Sequence, residues 1–512
     1  MTGSRPLGAA TGRSGSGRGA HPGIGATLMR VALSLALAFG GLSAGAAYWQ
    51  VFRSAELSSS PDDAAVIAAS RRVVRGEITD RDGVRLAWSV VDGNGEPFRR
   101  YAGAWTSGVV GYASRSFGTA GLERAYDAQL SGVTAPDPVQ DLVKKFRSSA
   151  LEPQAIRTTL VARLQQAAVK ALGGDRGAVV MLDPRSGEVL VLASTPAFDA
   201  SAIANPATGI AAFGRLQADP AVPLLPRATQ GRYVPGSVFK IVTAIAALGS
   251  GSVTPATTFP QQPGAEKGGL LIAGYRVKDA HHLSTGSTAL DLIGATEVSC
   301  NIWYALAGLE TGGDALASWA TKLGFGAPIP FDLRTATSQV TNGGGGFGGG
   351  FSDEVELANA AYGQAETVVT PLQMALVAGT IADGGVLMRP HLVQAFTGTS
   401  GTVEVSPDVW QRVLTPDLAE AIRAAMTQAV EGRLGRQFTA GARVKGMTVA
   451  GKTGTAQLGG PDAPNSWFIG FAPAEAPQIA IAVVVEQGGH GSDRAAPIAG
   501  TLLAAWKAWA GL

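Results

Sequence analysis

Residues 231–249 read Gly-Arg-Tyr-Val-Pro-Gly-Ser-Val-Phe-Lys-Ile-Val-Thr-Ala-Ile-Ala-Ala-Leu-Gly. Pro235 and Gly236 end the extended segment before them, and Ser237 opens a run whose apolar residues Val238, Ile241, Val242, Ile245 and Leu248 are too dense for a surface helix. The spacing predicts a buried helix. Ser237 and Lys240 stand three residues apart and share one of its faces, and the helix N-terminus adds unpaired N–H groups and positive potential beside the hydroxyl. The pair is a candidate nucleophile with a candidate base.

An isolated Ser-x-x-Lys is as readily an N-cap followed by a solvated lysine, so the motif alone decides nothing. Two further motifs follow it in order, Ser299-Cys300-Asn301 and Lys452-Thr453-Gly454, each present once in the chain. Taken singly, these are an ordinary turn between helices and an ordinary edge strand. The ordered trio is the signature of serine acyl-enzyme chemistry directed at peptides or β-lactams.

At 512 residues, 46% of them hydrophobic, the chain can bury large cores and holds more than one domain. A net charge of +2 gives no footprint for nucleic acid. Arg5, Arg13, Arg18 and Arg30 stand in the first thirty residues with no acid among them, in a tail rich in Gly and Ser that reads as disordered. From Val31 to Phe52 runs a charge-free stretch of spanning length that ends in an aromatic edge, Tyr48-Trp49. It reads as one transmembrane anchor with the N-terminus cytoplasmic and the rest outside the cell membrane. The competing reading is a signal peptide cleaved near Ala44-Gly45-Ala46. Cys300 is the only cysteine, so there is no internal disulfide, and it reads as a small buried residue. His21, His281, His282, His391 and His490 fall in no metal-ligand spacing, and neither a metal nor another cofactor is expected.

A hairpin is expected around Asp82-Gly83, between Ile78 and Leu86-Ala87, and a helix start at Gly121. Residues 160–172 have helical spacing, and residues 177–193 read as strand, turn, strand, polar only at the turn and therefore part of a covered sheet. Residues 288–298 and 302–310 read as two helices with Ser299 and Asn301 at the break, and residues 370–381 and 416–430 as two more. The tract from Gly343 to Gly350, interrupted only by Phe347, reads as a mobile loop. Strands return at 448–457, 466–471 and 478–486, and a last apolar helix covers 496–509. The fold class is α/β in the α+β sense, an antiparallel sheet flanked by helices, with both ends of the exported chain contributing strands.

Beyond the three motifs, the chain is similar to monofunctional, class B penicillin-binding proteins at Arg75-Gly76 through Asp80-Arg81, Gly121-Leu122-Glu123, Leu182-Asp183-Pro184, Arg227-Ala228, Tyr233-x-Pro-Gly-Ser, Thr370-Pro-Leu-Gln-Met-Ala and Ser466-Trp-Phe-Ile-Gly-Phe. It departs from them at Pro226, where Asn is usual, and at Ala365, where Gly is common. The resemblance implies the penicillin-binding transpeptidase, serine β-lactamase-like fold. It divides the chain into a cytoplasmic tail (1–26), an anchor (27–52), a small pedestal of the penicillin-binding protein dimerisation type (53–157) and a transpeptidase domain (158–512).

It also implies roles. Ser237 attacks the carbonyl of the penultimate D-Ala of a peptidoglycan stem peptide, and Lys240 takes its proton. Lys240 must therefore be neutral at working pH, and burial and the cation of Lys452 would both favour that. Ser299 passes protons between Lys240, Lys452 and the amine. Asn301 binds the substrate amide; Thr453 and Thr455 hold the peptide or its terminal carboxylate, and Gly454 lets the strand approach it. The backbone N–H groups of Ser237 and Thr455 form the oxyanion hole. The implied partners are the stem peptide as donor and as amine acceptor, β-lactam antibiotics, the membrane, a glycosyltransferase, and division or elongation proteins.

Two rival functions share these parts. A β-lactamase would hydrolyse the ester, but beyond Asn301 no Glu is followed four residues later by Asn, the pattern that positions deacylating water in class A enzymes. A non-catalytic scaffold of the division machinery would have no need of Ser237, Lys240 and Lys452 together.

Overall fold

In the computed structural model the described residues are 24–47, 73–132, 152–279, 288–458 and 462–512. The expected tail up to Gly23 and the pair His281-His282 lie outside them. Five antiparallel strands build the central sheet: β1 (Gly177–Leu182), β2 (Val189–Thr195), β3 (Ala450–Ala456), β4 (Asn465–Ala472) and β5 (Ile479–Val485), in the order β3-β4-β5-β1-β2. The strands expected from the sequence are all present. Ala178, Val180, Leu182, Trp467 and Ile469 point into one core, whereas Val179, Met181, Phe468, Ile481 and Val483 point into a second on the opposite face. Side chains alternate between faces, so burial on both is what makes these strands read as continuous apolar runs.

The helices fall on the two sides accordingly. On the first side lie α1 (Arg227–Gln230), α2 (Lys240–Ser250), α3 (Leu292–Glu297), α4 (Asn301–Thr311), α5 (Pro371–Ala382) and α6 (Pro416–Glu431), with α5 packed on β1, β4 and β5. On the second lie the helix Ala162–Leu172 and α7 (Ala495–Ala510). Every residue of α2 from Lys240 to Leu248 is buried, as its all-round apolar sequence requires.

A second, six-stranded sheet combines Ile78–Thr79, Arg85–Val91 and Pro97–Tyr101 with Ala155–Thr158 and two strands from much later in the chain, Val393–Gly398 and Gly401–Glu404. The expected hairpin is there, turning at Gly83 with φ +85°. Beside it Glu123 is fully buried between Arg75 (2.9 Å) and Arg99 (2.7 Å). Burial alone would push that carboxyl up, but Arg99 and Arg75 outweigh it and hold it below the ordinary carboxylate value. This buried ion network accounts for Arg75 in the stretch Arg75-Gly76 and for Glu123 in Gly121-Leu122-Glu123, because a charge without its partner there would be strongly destabilising.

The Gly-rich tract differs from expectation. It has no regular element, yet Gly345 N–H donates to Gly350 O (3.0 Å), Phe347 N–H to Phe351 O (2.8 Å), and the chain docks so closely that a Cβ on Gly349 would lie 2.2 Å from Gly313 O. Glycine supplies close backbone approach here, not looseness.

Residues Ile24–Ala47 form one helix, with Leu33, Leu35, Leu37 and Phe39 exposed. No helix among the described residues is long and apolar enough to cross a membrane. The last five residues of the expected anchor, 48–52, lie outside the described residues.

Candidate active site

The nucleophile does not sit in the first turn of an α-helix. Gly236–Phe239 is a 3-10 turn that hands over to α2 at Lys240, so Ser237 stands on a tighter bend than the motif spacing predicts. Gly236 takes φ +57° there, and its N–H donates to Gly363 O (2.9 Å). The turn is clamped from the sheet side as well. Trp467 Nε1 donates to Val234 O (3.0 Å), while Tyr233 Oη and Arg227 Nε both reach Glu486 Oε1 at the end of β5 (2.9 and 2.7 Å).

Lys240 is fully buried, and its Nζ is met by four oxygens: Ser299 O (2.6 Å), Asn301 Oδ1 (2.7 Å), Ser237 Oγ (3.1 Å) and Ser299 Oγ (3.1 Å). Ser299 reaches it because its backbone is left-handed, φ +61°, at the break between α3 and α4. The Asn301 amide is oriented by Nδ2 donating to Lys278 O (2.9 Å), which leaves Oδ1 for the lysine. Burial pushes the Lys240 amine down to about 8, against the pull of the Asp279 carboxylate. Here the sequence expectation is corrected: burial does the work, and the repulsion between the two lysines is felt at Lys452. That amine is pushed well below its ordinary value by burial first and by the charge of Lys240 second.

A neutral Lys240 has two N–H groups and one lone pair. The carbonyl of Ser299 and the amide oxygen of Asn301 can only accept, so they take the two N–H groups. The lone pair is then left to the two hydroxyls, Ser237 and Ser299, each of which can donate. The shell around Lys240 thus aims a base at the nucleophile.

Lys452, Gly454 and Ala456 lie on one face of β3, and Thr453 and Thr455 on the other. Gly454 has a packing role as well. A Cβ there would lie 2.7 Å from Pro235 O and 3.1 Å from Val238 Cγ1, so glycine lets β3 close on the nucleophile turn. Thr453 and Thr455 line, with Ser237, Ser299 and Asn301, an open cleft of about 1040 Å³. β3 is the edge strand of the sheet, so alternate backbone N–H groups have no strand partner on that side.

Three contributors escaped the sequence reading. Asp279 accepts from Asn301 N–H and from the Cys300 thiol (3.0 Å to Sγ), so it pins the second motif from the strand-turn around Tyr275–Val277. Cys300 is buried as expected, caps α4 through Trp303 N–H, and has its thiol pushed up by burial and then by Asp279. His490 Nδ1 lies 3.4 Å from Thr455 Oγ1, carried by a loop whose Gly491 packs on β3. The cluster Gly488-Gly489-His490-Gly491 was the available signal for that loop. Among the described residues no cluster of His, Cys, Asp and Glu could hold a metal ion.

Comparison with known proteins places the chain in a family. The penicillin binding protein transpeptidase domain matches residues 177–504, and the penicillin binding protein A dimerisation domain matches residues 75–152. The chain is 33% identical over 501 residues to peptidoglycan D,D-transpeptidase PbpA of Mycolicibacterium smegmatis, covering 94% of this chain and 98% of that one. It is 28% identical over 453 residues to peptidoglycan D,D-transpeptidase MrdA of Haemophilus influenzae, covering 83% and 65%. The ceftriaxone acyl-enzyme complex of penicillin-binding protein A from M. tuberculosis superposes with a TM-score of 0.74 at 32% identity, covering 85% of this chain and 99% of that one. This chain belongs to the penicillin-binding protein transpeptidase family, as a class B member of the penicillin-binding protein A type.

Proposed function

We propose that the chain is a peptidoglycan D,D-transpeptidase that cross-links stem peptides through a Ser237 acyl-enzyme and binds β-lactams at the same serine. The observation that carries this is the buried amine of Lys240 held 3.1 Å from Ser237 Oγ, where its free base can take the hydroxyl proton. Lys240 takes the Ser237 proton as Oγ bonds to the carbonyl carbon of the penultimate D-Ala. The resulting oxyanion faces the backbone N–H groups of Ser237 and Thr455, and one such donor is worth about 3 kcal/mol. Collapse breaks the C–N bond, and the departing D-Ala amine takes the proton back through Ser299. An acceptor amine then attacks the ester, its proton returns by the same relay to Ser237 Oγ, and the new peptide bond leaves the enzyme unchanged.

Thr453 and Thr455 hold the peptide or its terminal carboxylate in this reading, and Asn301 holds the substrate amide. Both polar atoms of the Asn301 side chain already have one partner, and each keeps capacity for a second. Lys452 lies on the other face of β3, its amine pushed well below its ordinary value by burial and then by Lys240, and in this reading it exchanges protons through Ser299.

The run from Val31 to Phe52 anchors the chain in the cell membrane with residues 1–26 cytoplasmic and the catalytic part outside, supported by its length and the absence of charge after Arg30. A glycosyltransferase of the division or elongation machinery supplies the glycan strands, since no glycan-polymerising segment is recognisable in the sequence.

The test is intact mass of the full-length protein in detergent after exposure to benzylpenicillin and removal of excess drug. A stoichiometric adduct on Ser237 that lasts many minutes, absent from Ser237→Ala, is expected. Loss within seconds together with steady consumption of the drug would identify a β-lactamase instead.

A further inference from the structure

A second cavity, of about 490 Å³, lies apart from the catalytic cleft, where residues 107–125 meet the segments 223–230 and 332–334. It shares no lining residue with the cleft. Tyr112, Phe198, Leu224, Leu225 and Pro226 give it apolar walls. Its size is that of a small-molecule site.

The charges at this cavity are uneven. Arg124 and Arg334 both line it, both are exposed, and among the described residues neither makes an ion pair or a side-chain hydrogen bond. The one carboxylate of the lining, Asp332, is already engaged, accepting from Tyr126 Oη and from Leu392 N–H (2.6 Å). An apolar chamber with two unspent guanidiniums and a spoken-for acid favours an organic anion. A guanidinium meets a carboxylate through two parallel N–H donors, and the apolar walls reward a flat hydrocarbon body.

We propose that this cavity is a binding site for a small organic anion with an apolar body, distinct from the catalytic cleft. Its occupant would lie on Thr229 and Gln230 of α1, which only the stretch Gly231–Gly236 separates from the nucleophile. The inference stands independently of the transpeptidase reading, because it uses none of the catalytic groups.

The probe is benzoylbenzoate, an aromatic carboxylate that cross-links on irradiation, added to the full-length protein in detergent and followed by peptide mapping. Saturable cross-links are expected within residues 107–125 and 223–230, undiminished when Ser237 carries penicillin. Uncharged benzophenone should label the same peptides weakly. The double variant Arg124→Ala, Arg334→Ala should need about tenfold more benzoylbenzoate or higher, the loss of charged hydrogen bonds. Ala125→Trp, which puts an indole into the lining, should block labelling while leaving penicillin acylation of Ser237 intact as proof of folding. Unsaturable labelling, equal labelling by benzophenone, indifference to the double variant, or loss of labelling on penicillin acylation would each overturn the proposal.

Discussion

The amide oxygen of Asn301 lies 2.7 Å from Lys240 Nζ, and the other end of that amide is tied to Lys278 O at 2.9 Å. The neutral acceptor lets Lys240 lose its proton, whereas a carboxylate at the same place would hold it. An opposite charge at this range raises a lysine by about 1–3 pK units. Asn301→Asp is therefore expected to slow acylation by a fluorescent penicillin about tenfold or more at pH 7 and to recover as pH rises past 9. Asn301→Ala, which removes the acceptor without adding charge, should be slow at every pH. Equal pH profiles for the two variants would refute this account of the amide.

The wild-type profile follows from the Lys240 value of about 8. Only the free base can accept the Ser237 proton, so the acylation rate constant should climb with pH, close to tenfold per unit at first, and level off above about 8. The sign is fixed by burial: a solvated lysine would place the same limb more than two units higher. Stopped-flow acylation between pH 6 and 9.5 measures it.

Much of this site was legible because its groups are carried by short ordered motifs. Ser237 and Lys240 are one 3-10 turn apart, and Thr453 and Thr455 share one face of a strand with Lys452 on the other, so sequence spacing translates directly into space. The sheet was legible for a similar reason, since burial on both faces writes itself as β-branched runs such as Ile479–Val485. What was not legible comes from long-range contact. Asp279 reaches the second motif from a separate turn, the hairpin of residues 393–404 completes a sheet begun at Ile78, and the close approach of Gly454 to Pro235 joins residues more than two hundred apart. No local pattern encodes those meetings.

Gly363 is the clearest of them. Its φ is +84°, and a Cβ there would stand 1.9 Å from the carbonyl oxygen of Gly236, the residue before the nucleophile. Gly363→Ala must therefore move the Ser237 turn, and a displacement near 1 Å at a reacting atom costs about a hundredfold in rate. Gly384→Ala is the control. That residue has φ +61° with nothing within 4 Å of the added Cβ, so it should lower the melting temperature through backbone strain while leaving acylation unchanged. Normal acylation by Gly363→Ala would show that the turn tolerates the shift.

Ala365 carries the same backbone strain without the clash. It sits at the cleft with φ +58°, exposed, where class B relatives commonly have glycine, so the departure seen in the sequence is a left-handed residue kept with its Cβ. That conformation costs an L-residue about 1–2 kcal/mol, and glycine gives back about 0.4–1 kcal/mol through the freer unfolded chain. Burial does not enter, because the methyl group is in solvent. Ala365→Gly should therefore stabilise the protein by roughly 0.5–1 kcal/mol. In a domain of this size that is a rise of about 1–2 °C in melting temperature, readable by scanning calorimetry of the penicillin-free protein. A fall instead would mean that the Cβ makes a contact worth more than the strain.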